Sequence, residues 1–211
     1  MKNLKRLTAV LLTAAMMIGM TGCAMGGKLA PKKLADSAKK YGAEEVKDPE
    51  DFADMVEEGE DLEDGAYITA SGKDVKDILK ANDVTSDLYD SSITNATLVV
   101  VGDKEDNTAA FLFAFTFSSK KDAQDFYDDC VEDIEDMDDS GYDFDSDDGE
   151  ENGVSYYVGV ADAGFYGVSE GVYLSGKTVF IVLGVGSDVG DCNDIIDDIG
   201  SCYDVVLPSE L

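Results

Sequence analysis

The chain has no histidine and no tryptophan, and only 3 prolines and 4 cysteines in 211 residues. Without imidazole there is no Ser-His-Asp or Cys-His nucleophile system, no histidine metal ligand and no ordinary proton shuttle near neutral pH. Positive charge is scarce as well: 16 Lys and Arg face 46 Asp and Glu, a formal charge of −30. So acidic a chain is read as binding no nucleic acid, because phosphate neutralisation needs clustered bases. The apolar run Leu7 to Met20 has 14 residues, short of the roughly 20 that span a bilayer as a helix. What remains is 44% hydrophobic, ordinary globular material rather than a disordered tail.

The N-terminus places the protein. Met1-Lys-Asn-Leu-Lys-Arg6 is basic, Leu7 to Met20 is apolar, and Met20-Thr21-Gly22-Cys23 closes the run with small residues. That order is a secretory signal. Its end resembles the lipobox of bacterial lipoproteins, an apolar residue and two small ones before Cys. The resemblance implies that the Cys23 thiol takes a diacylglyceryl group and that a peptidase cuts just before it. Each buried CH₂ contributes about 0.8 kcal/mol, and two acyl chains suffice for stable attachment where one does not. The expected organisation is a signal peptide over 1–22, a lipidated flexible tether over 23–30 and a single acidic α+β domain over 31–211. The expected location is extracytoplasmic, with the membrane as partner through Cys23. The mature chain would have 211 − 22 = 189 residues and a charge of 13 − 46 = −33.

Charge is segregated along it. Residues 24–40 carry Lys28, Lys32, Lys33, Lys39 and Lys40 against Asp36, or +4, whereas residues 44–211 hold 8 Lys against 45 acids, or −37. Two readings follow: a solvated tether on an acidic body, or a basic stem lying on anionic headgroups.

Periodicity gives the elements. Pro31, Leu34, Ala38 and Tyr41, stopped by Gly42, predict a first helix. Asp48-Pro49 with Phe52, Met55 and Val56 predicts a second, and Val75, Ile78 and Leu79 a third over 74–81. Leu98 to Val101 is a β run. Phe111, Phe113, Phe115 and Phe117 alternate as a strand. A helix follows with Ala123, Phe126, Tyr127, Cys130, Ile134 and Met137 on its apolar side. Residues 138–153 read as an acidic loop. Val154 to Val160 alternate as a strand, Phe165 to Val168 suggest another, and Val172 to Leu183 reads as a tight hairpin. A last helix carries Cys192, Ile195, Ile196 and Ile199, and Val205 to Leu207 suggests an edge strand. The expected fold is α+β, a mainly antiparallel sheet with amphipathic helices on one face. The shared i, i+3, i+4, i+7 spacing after each hairpin suggests a twice-used hairpin–helix unit. These segments also resemble a set of small surface lipoproteins of Firmicutes, through KKLADSAKKYGAEEV, SSKKDAQDFY and GKTVFIV. That resemblance implies fold and location but no activity.

Several residues invite chemistry. Asp143, Asp145 and Asp147 match the start of an EF-hand loop, but Asp148 stands where Gly is needed and Val154 where Glu is needed, so weak Ca²⁺ binding is the most they suggest. No other cofactor is expected. Gly184, Gly186 and Gly190 lie between strand and helix as in phosphate loops, at the wrong spacing and beside Asp188 and Asp191. Ser118 to Lys121 matches S-x-x-K, without the companion motifs of penicillin-recognising enzymes. With Cys23 lipidated, Cys130, Cys192 and Cys202 are disulfide candidates, an odd number. Tyr142, Tyr156, Tyr157, Tyr166 and Tyr173 could line a groove, or fill strands and core. No catalytic residue is assigned. The functional expectation is a non-catalytic binding or envelope-associated module; the alternatives are a small solute- or cation-binding lipoprotein and a His-independent hydrolase.

Overall fold

The computed structural model describes residues 27–58, 65–81, 92–103, 107–138, 143–162 and 166–211. The elements in chain order are α1 (Pro31–Tyr41), β1 (Glu44–Glu45), α2 (Pro49–Glu58), β2 (Ala66–Ser71), α3 (Asp74–Ala81), β3 (Ile93–Asp103), β4 (Thr108–Phe117), α4 (Lys120–Asp138), β5 (Asp143–Glu151), β6 (Val154–Asp162), β7 (Gly167–Ser175), β8 (Thr178–Gly186) and α5 (Val189–Gly200), then a 3₁₀ turn at Pro208–Glu210. One eight-stranded sheet takes all the strands in the order β1-β2-β3-β4-β8-β7-β6-β5. Only the two-residue β1 runs parallel to its neighbour; every other pairing is antiparallel. The fold is therefore α+β with a mostly antiparallel sheet.

The helices cover both faces of that sheet, which corrects the one-face expectation. On the first face α2, α3 and α4 bury Phe52, Val75, Ile78, Phe126 and Ile134 against Leu98, Phe113, Phe115, Val172 and Ile181. On the second, α1 and α5 bury Leu34, Ala38, Ile195, Ile196 and Ile199 against Val99, Leu112, Ala114, Phe180 and Val182. The reason is visible in β4. Its phenylalanines mark one face, but Ala110, Leu112 and Ala114 between them are also fully buried. A strand apolar on both sides needs cover on both sides.

The two-faced arrangement also removes the duplication. β4 and β8 pair antiparallel at the centre of the sheet, so a two-fold axis perpendicular to it would carry β3-β4 onto β7-β8. That axis would leave the following helix on the same face. α4 and α5 lie on opposite faces, so the two units have opposite hands and are not copies.

Local chemistry sets the ends. The Ser119 hydroxyl accepts from the Asp122 amide at 3.1 Å and caps α4. Asp188 caps α5 by accepting from the Gly190 amide at 2.7 Å, and Asp48 does the same for α2 through Glu50. The segment 143–151 is strand β5, not a loop. It turns into β6 through Asn152 (φ 52°) and Gly153 (φ 71°), the positive-φ pair of a two-residue hairpin. Val205 to Leu207 forms no strand.

Candidate functional site

Cys23 and the whole leader lie outside the described residues, as does Tyr142. Among the described residues no helix is long and apolar enough to cross a membrane.

β5 strings its acids along an edge. Asp143, Asp145 and Asp147 occupy alternate positions of the strand, and a rise of about 3.4 Å per residue puts the first and last about 14 Å apart at Cα. One ion with oxygen ligands at 2.3–2.6 Å does not bridge that. Among the described residues no group of three His, Cys, Asp or Glu is gathered to hold a metal. Asp147 instead accepts a hydrogen bond from the Tyr156 hydroxyl at 3.0 Å.

Cys130, Cys192 and Cys202 are all free thiols. Cys130 lies on the α4 face and Cys192 on the α5 face, so the sheet separates them. Burial pushes the Cys192 thiol up to about 12 and the Cys202 thiol up to about 11, so neither is a thiolate at neutral pH. The glycines of β8 serve packing: a Cβ on Gly184 would sit 2.8 Å from Cys192 Cβ, and one on Gly186 would sit 2.6 Å from Thr108 Oγ1. The S-x-x-K residues are occupied elsewhere, Ser118 with the Asp122 carboxylate at 3.3 Å and Lys121 with Asp125. The tyrosines split between faces. Tyr173 is buried against Phe180 on the second face, with ring centroids 5.3 Å apart, while Tyr157 packs on the first.

The structure brings together something else. α1 lies on the second face with Leu34 and Ala38 buried, and Lys32, Lys33, Lys39 and Lys40 exposed. At 100° per residue the four lysines and Asp36 fall on one arc of about 120°, directly outward from the buried side. Lys32 pairs with Asp36 at 3.0 Å. An open groove flanks α1 on either side. One, of about 530 Å³, runs toward β2 and β3 and is lined by Tyr67, Thr69, Asn95 and Thr97. The other, of about 600 Å³, runs toward α5 and is lined by Ser37, Lys40, Asp198 and Cys202.

Sequence reasoning missed Glu170. It sits in β7 between Gly159 of β6 and Leu183 of β8, and is 4% exposed. Burial, then the Asp133 carboxylate of α4, pushes its pKa up to about 8. It is therefore largely protonated at neutral pH. The available signal was one acid inside Gly167-Val-Ser-Glu-Gly-Val-Tyr-Leu174, a run otherwise suited to a central strand.

No family model and no curated protein matches the chain. The extracellular domain of PknH from Mycobacterium tuberculosis shows a partial structural likeness, with 9% identity and a TM-score of 0.31 over 52% of this chain. The match covers 66% of that domain, just under two thirds of its length.

Proposed function

We propose that this is an extracytoplasmic protein held on the membrane by lipid at Cys23, acting as a non-catalytic binding or envelope-associated module. The observation that carries the reading is the leader: a basic start, a 14-residue apolar run and Thr21-Gly22-Cys23, with α1 beginning at Pro31, eight residues beyond the cysteine. A thioether-linked diacylglyceryl group supplies two acyl chains, and no spanning helix is needed to hold the body. Fatty-acid labelling in the native host tests it. Wild type takes the label and stays with membranes. Cys23→Ala takes none, and the protein leaves the membrane fraction or keeps its leader uncut. Label retained by Cys23→Ala would end the proposal.

A small solute- or cation-binding lipoprotein is the second reading. The groove beside α1 favours the solute form, because Thr69, Asn95 and Thr97 bring hydroxyl and amide groups to one concave surface. For the cation form, the spread of Asp143, Asp145 and Asp147 along β5 offers no single-ion cage, so Ca²⁺ and Mg²⁺ are expected to raise the unfolding midpoint alike, as screening of an acidic body. A Ca²⁺ effect at lower concentration than Mg²⁺, abolished by Asp145→Asn, would restore that reading.

A further inference from the structure

We infer that the lysine arc of α1 is a docking surface for an anionic bilayer, and that it orients the protein with the acidic strand β5 pointing away from the membrane. The inference rests on the anchor proposed above and says which side of the body the anchor holds down.

Three observations carry it. The first is charge by element. Among the described helices and strands α1 alone has more bases than acids, four Lys against Asp36. Its lysines point outward together rather than around the helix, since Leu34 and Ala38 occupy the opposite side. Lys33 and Lys40 also lie on the side toward Cys202, where their charge counteracts the rise in its pKa. Acids flank the arc without interrupting its outward side beyond Asp36: Glu44 and Glu45 follow on β1, Asp74 lines the groove beside Lys32, and Asp198 of α5 lines the groove beside Lys40. With Lys28 counted, residues 27–45 hold five Lys against three acids.

The second is reach. Seven residues lie between Cys23 and Pro31, so the eight Cα steps span at most about 28 Å fully extended. α1 is thus the first element a lipid at Cys23 brings to the surface. A juxtamembrane lysine is drawn to anionic headgroups within about a Debye length.

The third is polarity across the sheet. α1 packs over β2 and β3, whereas β5 is the far edge strand, five to six strand spacings or about 24–29 Å away. Nine residues of β5 carry six acids and no base. α5 shares the second face with α1 but carries Asp191, Asp194, Asp197 and Asp198, so the contact is made by the α1 side of that face and not by the face as a whole. An anionic surface attracts one end of this body and repels the other. The resulting torque fixes an orientation that the tether alone would leave free.

Acetylation footprinting tests it on the full lipidated protein in phosphatidylglycerol and in phosphatidylcholine vesicles, after intact mass confirms the lipid. Lys120 and Lys121 serve as internal references, being exposed at the start of α4, which packs on the first face. Lys32, Lys33, Lys39 and Lys40 are expected to label about three- to tenfold more slowly on phosphatidylglycerol, with the references unchanged. Roughly 0.5 M salt should erase the protection. Equal labelling on the two vesicles in lipidated protein, or protection of the reference lysines instead, would overturn the docking surface alone. A bare Cys23 in protein from the native host would overturn the anchor and the surface with it.

Discussion

Between pH 4.5 and 8 the protein should lose stability as pH rises, and Glu170 should account for much of the loss. In the unfolded chain Glu170 titrates at its ordinary 4.5; in the fold burial raises this to about 8. The folded state therefore binds the proton more tightly. Its stabilising contribution is complete below pH 4.5, declines through the window and is gone above pH 8. The slope is about 1.4 kcal/mol per pH unit, or about 3–5 kcal/mol between the limits. The groups facing Glu170 reinforce the sign. α4 brings Asp133, whose charge raises it further, and Asp129 and the buried Cys130 lie in the same cluster; Gly159 and Leu183 on the flanking strands bring no charge. Because the whole surface is acidic, wild type alone does not isolate the effect. Glu170→Gln does. The neutral amide avoids burying a charge but adds an N–H that needs an acceptor, costing about 1–3 kcal/mol. The variant is expected to be less stable than wild type at pH 5 and more stable at pH 8, with the urea midpoints crossing between. Parallel curves without a crossing would show that Glu170 keeps its ordinary pKa.

Glu170 also shows where sequence reasoning stops. A buried acid is recognisable only once the strand that holds it is known to be central, and that depends on the pairing of distant segments. Local signals worked where one residue does one thing. Pro31 and Gly42 bracket α1, Asp48 and Ser119 cap their helices, and Phe113, Phe115 and Phe117 announce β4. They failed where pairing rather than side chains makes the element. β5 has Phe144 as its one large apolar residue. It is a strand because β6 supplies nine paired residues through the Asn152-Gly153 turn, and that dipeptide was the legible clue. β2 was likewise unremarked, since Ala66 to Ser71 becomes a strand by lying beside β3. The one-face expectation fails because Leu112 and Ala114, opposite the phenylalanines of β4, are themselves fully buried and need helices over them. As for function, the pattern of the leader and the lysine segment are legible in the sequence, since each is local. The gathering of four lysines over one outward arc, and their distance from β5, required the fold.

Replacing Tyr203 should be severely destabilising, and its two truncations separate two roles. Tyr203 follows α5 and is 2% exposed. Its ring meets Phe180 edge-on at 4.6 Å, and Phe180 in turn stacks on Tyr173. Its hydroxyl donates to the Ala30 carbonyl at 2.9 Å, and burial raises its pKa far enough to keep it a donor at any physiological pH. Ala30 is the residue before α1, and its carbonyl also accepts from the Lys33 amide at 2.9 Å. One side chain thus joins the C-terminal segment to the residue that precedes α1. Tyr203→Ala removes a buried aromatic and should cost about 3–5 kcal/mol, lowering the unfolding midpoint by roughly 6–20 °C for a chain of this size. Tyr203→Phe keeps the ring contact and removes the hydrogen bond; it should cost about 1 kcal/mol. Its distinctive effect is local: hydrogen exchange at the first turn of α1 should quicken while the sheet amides keep their protection. If Tyr203→Phe proves as costly as Tyr203→Ala, the hydrogen bond and not the packing on Phe180 holds the second face together. If neither moves the midpoint, the C-terminal segment is dispensable to the sheet, and α1 is held by its buried Pro31, Leu34 and Ala38 and by the Ser37 hydroxyl, which donates to the Ile199 carbonyl.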